Sequence, residues 1–357
     1  MPTRRTFIMQ TASASLLAAA NMPAEARPPG SGGSVSVYRL PHTDLEVSRI
    51  AFGCAYLLEW NKDPLSSDEV LDASRVINAA YDNGITFFDL ADVYGLSKAE
   101  QALGAVMKQT SGLRHKIVIQ SKCGVGLAND WKFGAPISFF DCSYENIVKS
   151  AEGTLDRLGT DYLDILLLHY PDALIQPQEV ARAFDDLSRA GKVRYFGVSN
   201  HGAAQIELLK KDVVQPLVVN QVNLGLGRPD LIEEAPYGLA GNVRITGIIE
   251  YCRQHDISVQ AYSPLRGNVM SPPDDAAASI KSAAQYIAQF ARSRNTTRWV
   301  VALAWLLHHP AKIIPVFGTR EPRHVIENCL ADAFEMSRED WYRLLMAVMG
   351  ARIARLE

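Results

Sequence analysis

Short β-branched or aliphatic runs alternate with segments of helical period along most of this 357-residue chain, and that alternation constrains the fold more than anything else in it. Parallel strands joined by covering helices produce the pattern. Strand-like runs fall at residues 49–53, 86–90, 116–122, 162–169, 193–199, 217–222, 258–263 and 313–317, eight in all. Helix candidates between them include residues 67–83, 144–158, 177–190 and 245–255, with apolar residues near three- and four-residue spacing. Gly84, Gly159 and Gly191 follow such segments, where a left-handed C-cap favours a residue without Cβ.

Eight βα units close a (β/α)8 TIM barrel, and a packed barrel interior moves the chemistry to the loops at the C-terminal ends of the strands. The expected fold class is α/β, a single barrel domain over residues 35–357. Residues 37–50 are expected to form a hairpin across the barrel's bottom, 274–309 to hold two helices, and 337–350 to add a helix beyond the eighth unit. A barrel takes roughly 250 residues or more as one domain, so the length needs no second domain.

The start of the chain reads differently. Arg4-Arg5 precedes a small-apolar stretch, residues 11–20, and an Ala24-Glu25-Ala26 pattern. A charged start, a short apolar region and a small-residue stop resemble a twin-arginine signal and are too short to span a bilayer. Residues 1–26 are therefore set apart as a signal and 27–34 as a linker. The resemblance implies the twin-arginine export machinery as a partner and a periplasmic location, or a cytoplasmic one if the signal does not operate. The net charge of -3, without a long basic run, leaves no electrostatic footprint for nucleic acid. The five scattered cysteines show no metal-ligand spacing and no disulfide framework, and read as small buried hydrophobes.

Four ionisable residues stand where the barrel should carry a site. Asp89 ends the second strand, with Tyr94 on the loop that follows; Lys122 ends the third and His169 the fourth. Each alone has an ordinary structural reading, as a cap, a loop aromatic, a solvated strand end or a core histidine. Their joint order resembles the Asp/Tyr/Lys/His tetrad of the aldo-keto reductases, and the likeness runs from about Val35 to the C-terminus. Gly197-Val198-Ser199-Asn200, Asn220-Gln221, Ala261-Tyr262-Ser263-Pro264-Leu265, Gly318-Thr319-Arg320 and Glu327-Asn328 extend it. The details are most similar to a bacterial branch with a Ser-Lys-Cys-Gly third strand end and a tryptophan in the terminal helix.

The resemblance implies hydride transfer between NADP(H) and an aldehyde, a ketone or the corresponding alcohol. Carbonyl reduction creates an alkoxide that needs a proton near neutral pH, and a free phenol with a pKa of about 10 gives it up reluctantly. A lysine ammonium beside Tyr94 is expected to lower that pKa, with Asp89 holding Lys122 charged and oriented. His169 would polarise the carbonyl as a donor. By resemblance, Ser199, Asn200 and Gln221 hold the nicotinamide carboxamide and Tyr262 stacks on its ring. Gly53, Ser263, Leu265, Gly318 and Thr319 would meet the rest of the cofactor, with His324, Glu327 and Asn328 near the adenine. Arg320 suits a 2′-phosphate, which favours NADP over NAD.

Tyr56, Trp60, Trp131, Phe133, Phe139 and Phe140 either wall an apolar substrate pocket or pack loops onto the barrel rim. The loop over residues 225–242 is long enough to cover a ligand or meet another subunit. Two positions depart from the family pattern: Leu90 follows the tetrad aspartate, and Arg266-Gly267-Asn268 replaces a plain glycine run, which alters the loop over the pyrophosphate. No metal site is indicated. A different class of function also fits the same fold, a cofactor-binding regulatory or scaffold subunit with little turnover.

Overall fold

A computed structural model describes residues 35–61, 63–128, 137–233 and 247–350. The expected signal and linker, residues 1–34, lie outside the described residues, as do Trp131, Phe133 and the part of the 225–242 loop from residue 234 onward.

All eight expected strands form. In chain order they are β3 (Ala51–Gly53), β4 (Phe87–Asp89), β5 (Val118–Cys123), β8 (Leu163–Leu168), β9 (Val193–Ser199), β10 (Leu217–Asn223), β11 (Ser258–Tyr262) and β12 (Ile314–Phe317). They pair in parallel and close on themselves in the order β10-β11-β12-β3-β4-β5-β8-β9, which leaves the barrel no open edge. The expected hairpin also forms, from β1 (Val37–Arg39) and β2 (Glu46–Ser48), antiparallel. Its Leu40, Leu45 and Val47 pack with Ala51, Phe87, Val118, Ile165 and Ile314 and plug the bottom of the barrel. A second small hairpin, β6 (Val125–Gly126) with β7 (Phe139–Phe140), lies beyond the third barrel strand.

The helices form where capping and periodicity coincide. In Tyr144–Leu158 the Ser143 side chain accepts from the Asn146 N–H, and Ile147, Ala151, Leu155 and Leu158 are buried along one face. Each buried leucine or isoleucine of this kind is worth about 1.5–3 kcal/mol. Gly159, at φ 64°, ends the helix in the left-handed region, where a Cβ would be strained. The next helix, Pro177–Arg189, sits on the barrel through Phe184, stacked on Phe196 of β9 at 4.0 Å between ring centroids.

The 274–309 segment holds two helices, Ala278–Ser293 and Arg298–Leu307, and the terminal helix runs Arg338–Met349. That last helix is locked by two tryptophans. Trp305 and Trp341 stack at 4.8 Å, and each indole N–H donates to the other's backbone carbonyl, at 3.2 and 2.9 Å. The five cysteines are free and buried. Burial pushes the thiols of Cys142, Cys252 and Cys329 up to about 12, so little thiolate is available for oxidation. No helix among the described residues is long and apolar enough to cross a membrane.

Candidate active site

Residues two apart on a strand face the same side of the sheet, and the barrel sorts those inward columns by chemistry. Phe87, Val118, Ile165, Leu167 and Val219 fill the floor with the hairpin. One pleat further along the same columns stand Asp89, Gln120, His169 and Gln221, with Lys122 beyond Gln120. Apolar floor and polar rim thus follow from the strand period alone.

Asp89, Tyr94, Lys122 and His169 come together there. The Lys122 ammonium, wholly buried, donates to Asp89 Oδ1 at 2.7 Å and Oδ2 at 2.8 Å, to the Leu90 carbonyl at 2.8 Å and to the Tyr94 hydroxyl at 3.0 Å. The Tyr94 ring meets His169 edge-on, centroids 5.8 Å apart at 80°. His169 in turn stacks on Tyr170, and Tyr170 on Phe140, each at 5.2 Å. Tyr94, His169 and Tyr170 of this run line the cavity.

The electrostatics differ from the expectation in one respect. Lys122 was expected to draw the Tyr94 phenol down, yet burial first, and the Asp89 charge second, push it well above the ordinary tyrosine value. The reason is pairing: Asp89 neutralises the ammonium that touches the phenol, so desolvation of the phenolate prevails. Burial also lowers the Lys122 pKa, against the pull of Asp89. His169 is pushed well below its ordinary value by burial and by the Lys122 charge. It is neutral near pH 7, its Nδ1 buried without a hydrogen-bond partner, which leaves Nε2 as the ring nitrogen open to the cavity.

That cavity has a volume of about 380 Å³. Gly53, Ser199, Asn200, Gln221, Tyr262, Ser263, Leu265 and Gly318 line it together with Asp89, Tyr94 and His169. Asn200 and Ser263 hold positive φ, 62° and 53°, a cost that persists only where surrounding contacts fix it and that clusters at ligand sites. Asn200 is fixed by its own bonds: Nδ2 donates to the His169 carbonyl at 3.2 Å and to Ser199 Oγ at 3.0 Å, and Oδ1 accepts from the Tyr262 hydroxyl at 3.1 Å. A Cβ on Gly318 would stand 2.4 Å from the Gly53 carbonyl oxygen, so the ends of β3 and β12 close up only because residue 318 is glycine. Gly267, at φ 121°, likewise lets its loop lie against the backbone of Gly227.

Thr319, Arg320, His324, Glu327 and Asn328, expected around the cofactor, stand outside the cavity. Arg320 forms an ion pair with Glu59 and donates through Nε to the Tyr56 carbonyl at 2.9 Å. Its guanidinium is tied to the loop after β3, and Tyr56 carries Arg266 over its ring at 4.7 Å. Thr319 contacts His324 at 3.3 Å. Glu327 accepts from the Thr297 hydroxyl at 2.5 Å, and Asn328 is buried in its helix. Tyr56 and Trp60 line the cavity, and Trp60 approaches Tyr94 at 6.3 Å. Phe139 and Phe140 form β7.

Several residues escaped the sequence reading. Val125, Leu127 and Tyr170 line the cavity, and Glu59 occupies Arg320. Gln120 and Gln260 lie fully buried beneath the cavity, bonded to Asp89 and Gln221. A glutamine within a buried strand was their visible signal.

The model of the aldo/keto reductase family matches residues 49–346. The chain is 33% identical over 310 residues to a 6-dehydroglucose reductase of Agrobacterium fabrum, covering 87% of this chain and 97% of that protein. It is 31% identical over 305 residues to oxidoreductase YdhF of Escherichia coli, covering 85% and 95%. Among solved structures, an aldo-keto reductase from Klebsiella pneumoniae in complex with NADPH is similar at 25% identity and TM-score 0.66, covering 88% of this chain and 94% of that one. The barrel, the convergence of the four residues at its rim and these likenesses agree: the chain belongs to the aldo/keto reductase family.

Proposed function

We propose that this oxidoreductase uses NADP(H) to interconvert aldehydes or ketones and their alcohols, with Tyr94 as the proton donor and acceptor. The observation that carries this reading is the chain of contacts from Asp89 through Lys122 to the Tyr94 hydroxyl, ending in a cavity that Gly53, Ser199, Asn200, Gln221, Tyr262, Ser263, Leu265 and Gly318 of the expected cofactor residues also line.

The cavity fits a nicotinamide cofactor. Ser199, Asn200 and Gln221 offer amide and hydroxyl groups, Tyr262 offers a ring, and Gly53 and Gly318 line the cavity without side chains. When bound, the cofactor supplies the hydride. Tyr94 delivers its proton from Oη to the alkoxide oxygen that forms, and takes one back in the oxidative direction. Lys122 holds the hydroxyl at 3.0 Å and keeps a cation beside it. Neutral His169, open through Nε2, donates to the carbonyl oxygen and favours the charge that develops there. Trp60, Val125, Leu127 and Tyr170 form apolar walls against which an uncharged substrate can lie.

The likeness to a 6-dehydroglucose reductase supports including oxidised sugars among the candidate substrates. Titration with NADPH and NADH, read by tryptophan fluorescence, followed by turnover on aldehydes, ketones and keto-sugars, tests the proposal. NADPH-dependent turnover supports it. Tight nucleotide binding with no turnover on any of them would favour the regulatory subunit, and binding of neither nucleotide would end both readings. For location we propose twin-arginine export on the Arg4-Arg5 pattern. Retention of the protein in the cytoplasm of a host with intact export machinery would refute that.

A further inference from the structure

We propose that Gln120 and Gln260, which do not line the cavity, are positioning residues that together with Asp89 fix the polarity of Gln221, so that the site offers the cofactor ring a bare carbonyl oxygen and selects a ring that carries an N–H donor. The inference rests on the reading of Gln221 as a nicotinamide contact.

The polarity propagates from Asp89. As a carboxylate it can only accept, and it sits against the Lys122 ammonium. Its Oδ1 takes the Gln120 Nε2 at 2.7 Å and the Gln221 Nε2 at 2.8 Å. Both glutamines must therefore turn their nitrogens, not their oxygens, toward it. Each nitrogen has a second proton, and both of those go to Gln260 Oε1, at 2.8 Å from Gln120 and 2.7 Å from Gln221. Gln260 must then turn its own nitrogen the other way, and it donates to Gln120 Oε1 at 2.9 Å.

Reversing any one amide would set oxygen against oxygen or nitrogen against nitrogen in a buried place, where an unmade bond is costly. Asp89 neighbours Gln120 across β4 and β5, and Gln221 neighbours Gln260 across β10 and β11. These two strand pairs stand on opposite sides of the closed barrel, so the amides bridge its interior.

Gln221 is left with both protons committed. Its Oε1 has no hydrogen-bond donor among the described residues, while the residue lines the cavity. The free group is an acceptor and fits the amide N–H of a carboxamide. A ring substituent without that N–H would leave the oxygen unpaired.

The test compares NADPH with its reduced 3-acetylpyridine analogue, in which a methyl group replaces the amide nitrogen. Binding is read by fluorescence on the wild type, Gln260→Met and Gln120→Met, with circular dichroism as the check on folding. The wild type should bind the analogue about tenfold more weakly, the equivalent of one lost hydrogen bond at a buried acceptor. In Gln260→Met, where Gln221 loses one of its two acceptors and can turn a proton to the cavity, the preference should shrink to about threefold or less. In Gln120→Met, Gln260 loses both the donor and the acceptor that hold its amide on that side and can turn away from Gln221, so the preference should shrink there as well, and this variant serves if the first does not fold. A wild type that binds both nucleotides equally, or a preference unchanged in the folded variants, would overturn the proposal and leave the cofactor assignment standing. Failure of the wild type to bind NADPH would remove both.

Discussion

Replacing Lys122 by methionine should cost this protein far more stability than replacing Lys122 and Asp89 together. The two groups are nearly without solvent, with side-chain exposures of 0% and 3%. In Lys122→Met the Asp89 carboxylate keeps its amide donors from Gln120 and Gln221 but loses its counter-charge. A buried charge left uncompensated in this way costs about 3–5 kcal/mol. With Asp89→Leu added, the charge is gone, and the Gln120 and Gln221 amide nitrogens each keep their bond to Gln260 and lose one hydrogen bond of about 0.5–1.5 kcal/mol, together about 1–3 kcal/mol. Unfolding entropy near 2.1 cal/mol/K per residue, over roughly 300 ordered residues, makes 1 kcal/mol worth about 1.6 °C. Thermal unfolding followed by circular dichroism should then show the single variant about 5–8 °C below the wild type and the double variant about 2–5 °C below. A double variant as unstable as the single one, or more so, would refute the argument that the ion pair is held by mutual compensation.

Glu59→Gln frees Arg320, and because both side chains are substantially exposed, at 66% and 46%, the pair is worth only about 0.2–1 kcal/mol. NADPH should bind up to about fivefold more tightly to that variant with NADH unchanged; equal effects on both nucleotides in a fluorescence titration would separate Arg320 from the 2′-phosphate. His201 is buried, its Nδ1 at 2.8 Å from the Ser199 carbonyl, and burial lowers its pKa to about 4. The unfolded chain, with an imidazole pKa of about 6.5, therefore binds more protons than the folded one between those values. Stability contributed by neutral His201 is complete above about pH 6.5 and is lost as the pH falls toward about 4, by roughly 2–3 kcal/mol. His201→Asn should flatten the urea midpoint between about pH 7 and about pH 4.5; an unchanged slope would acquit this residue.

Much of this was legible in the sequence because it depends on period. Strands were identified by β-branched runs, and the parity that puts Phe87 on the floor puts Asp89 at the rim. Helix ends at Gly159 and Gly191 were readable because a left-handed cap is a one-residue signal, and both have positive φ. What was not legible depends on pairs distant in the chain. Glu59 stands 261 residues from Arg320, and nothing local marks it as the partner. Gln120 and Gln260 carry their signal locally, as amides within buried strands, but the bonds across 140 residues that give them meaning exist only in a closed barrel. The direction of the Tyr94 shift was misjudged for a related reason: motif spacing shows which charges are neighbours, whereas desolvation depends on everything packed around the hydroxyl.

The central claim is that Tyr94 moves the proton while taking no essential part in holding the cofactor. Tyr94→Phe removes the hydroxyl and keeps the ring that meets His169 and Trp60. Steady-state reduction of an active carbonyl substrate by NADPH, with the nucleotide Kd measured on the same preparations, tests it most directly. The account expects kcat to fall by about 100-fold or more, the usual worth of a positioned acid, with the NADPH Kd within about threefold of wild type. A Tyr94→Phe enzyme that still turns over within a few-fold of wild type would contradict it.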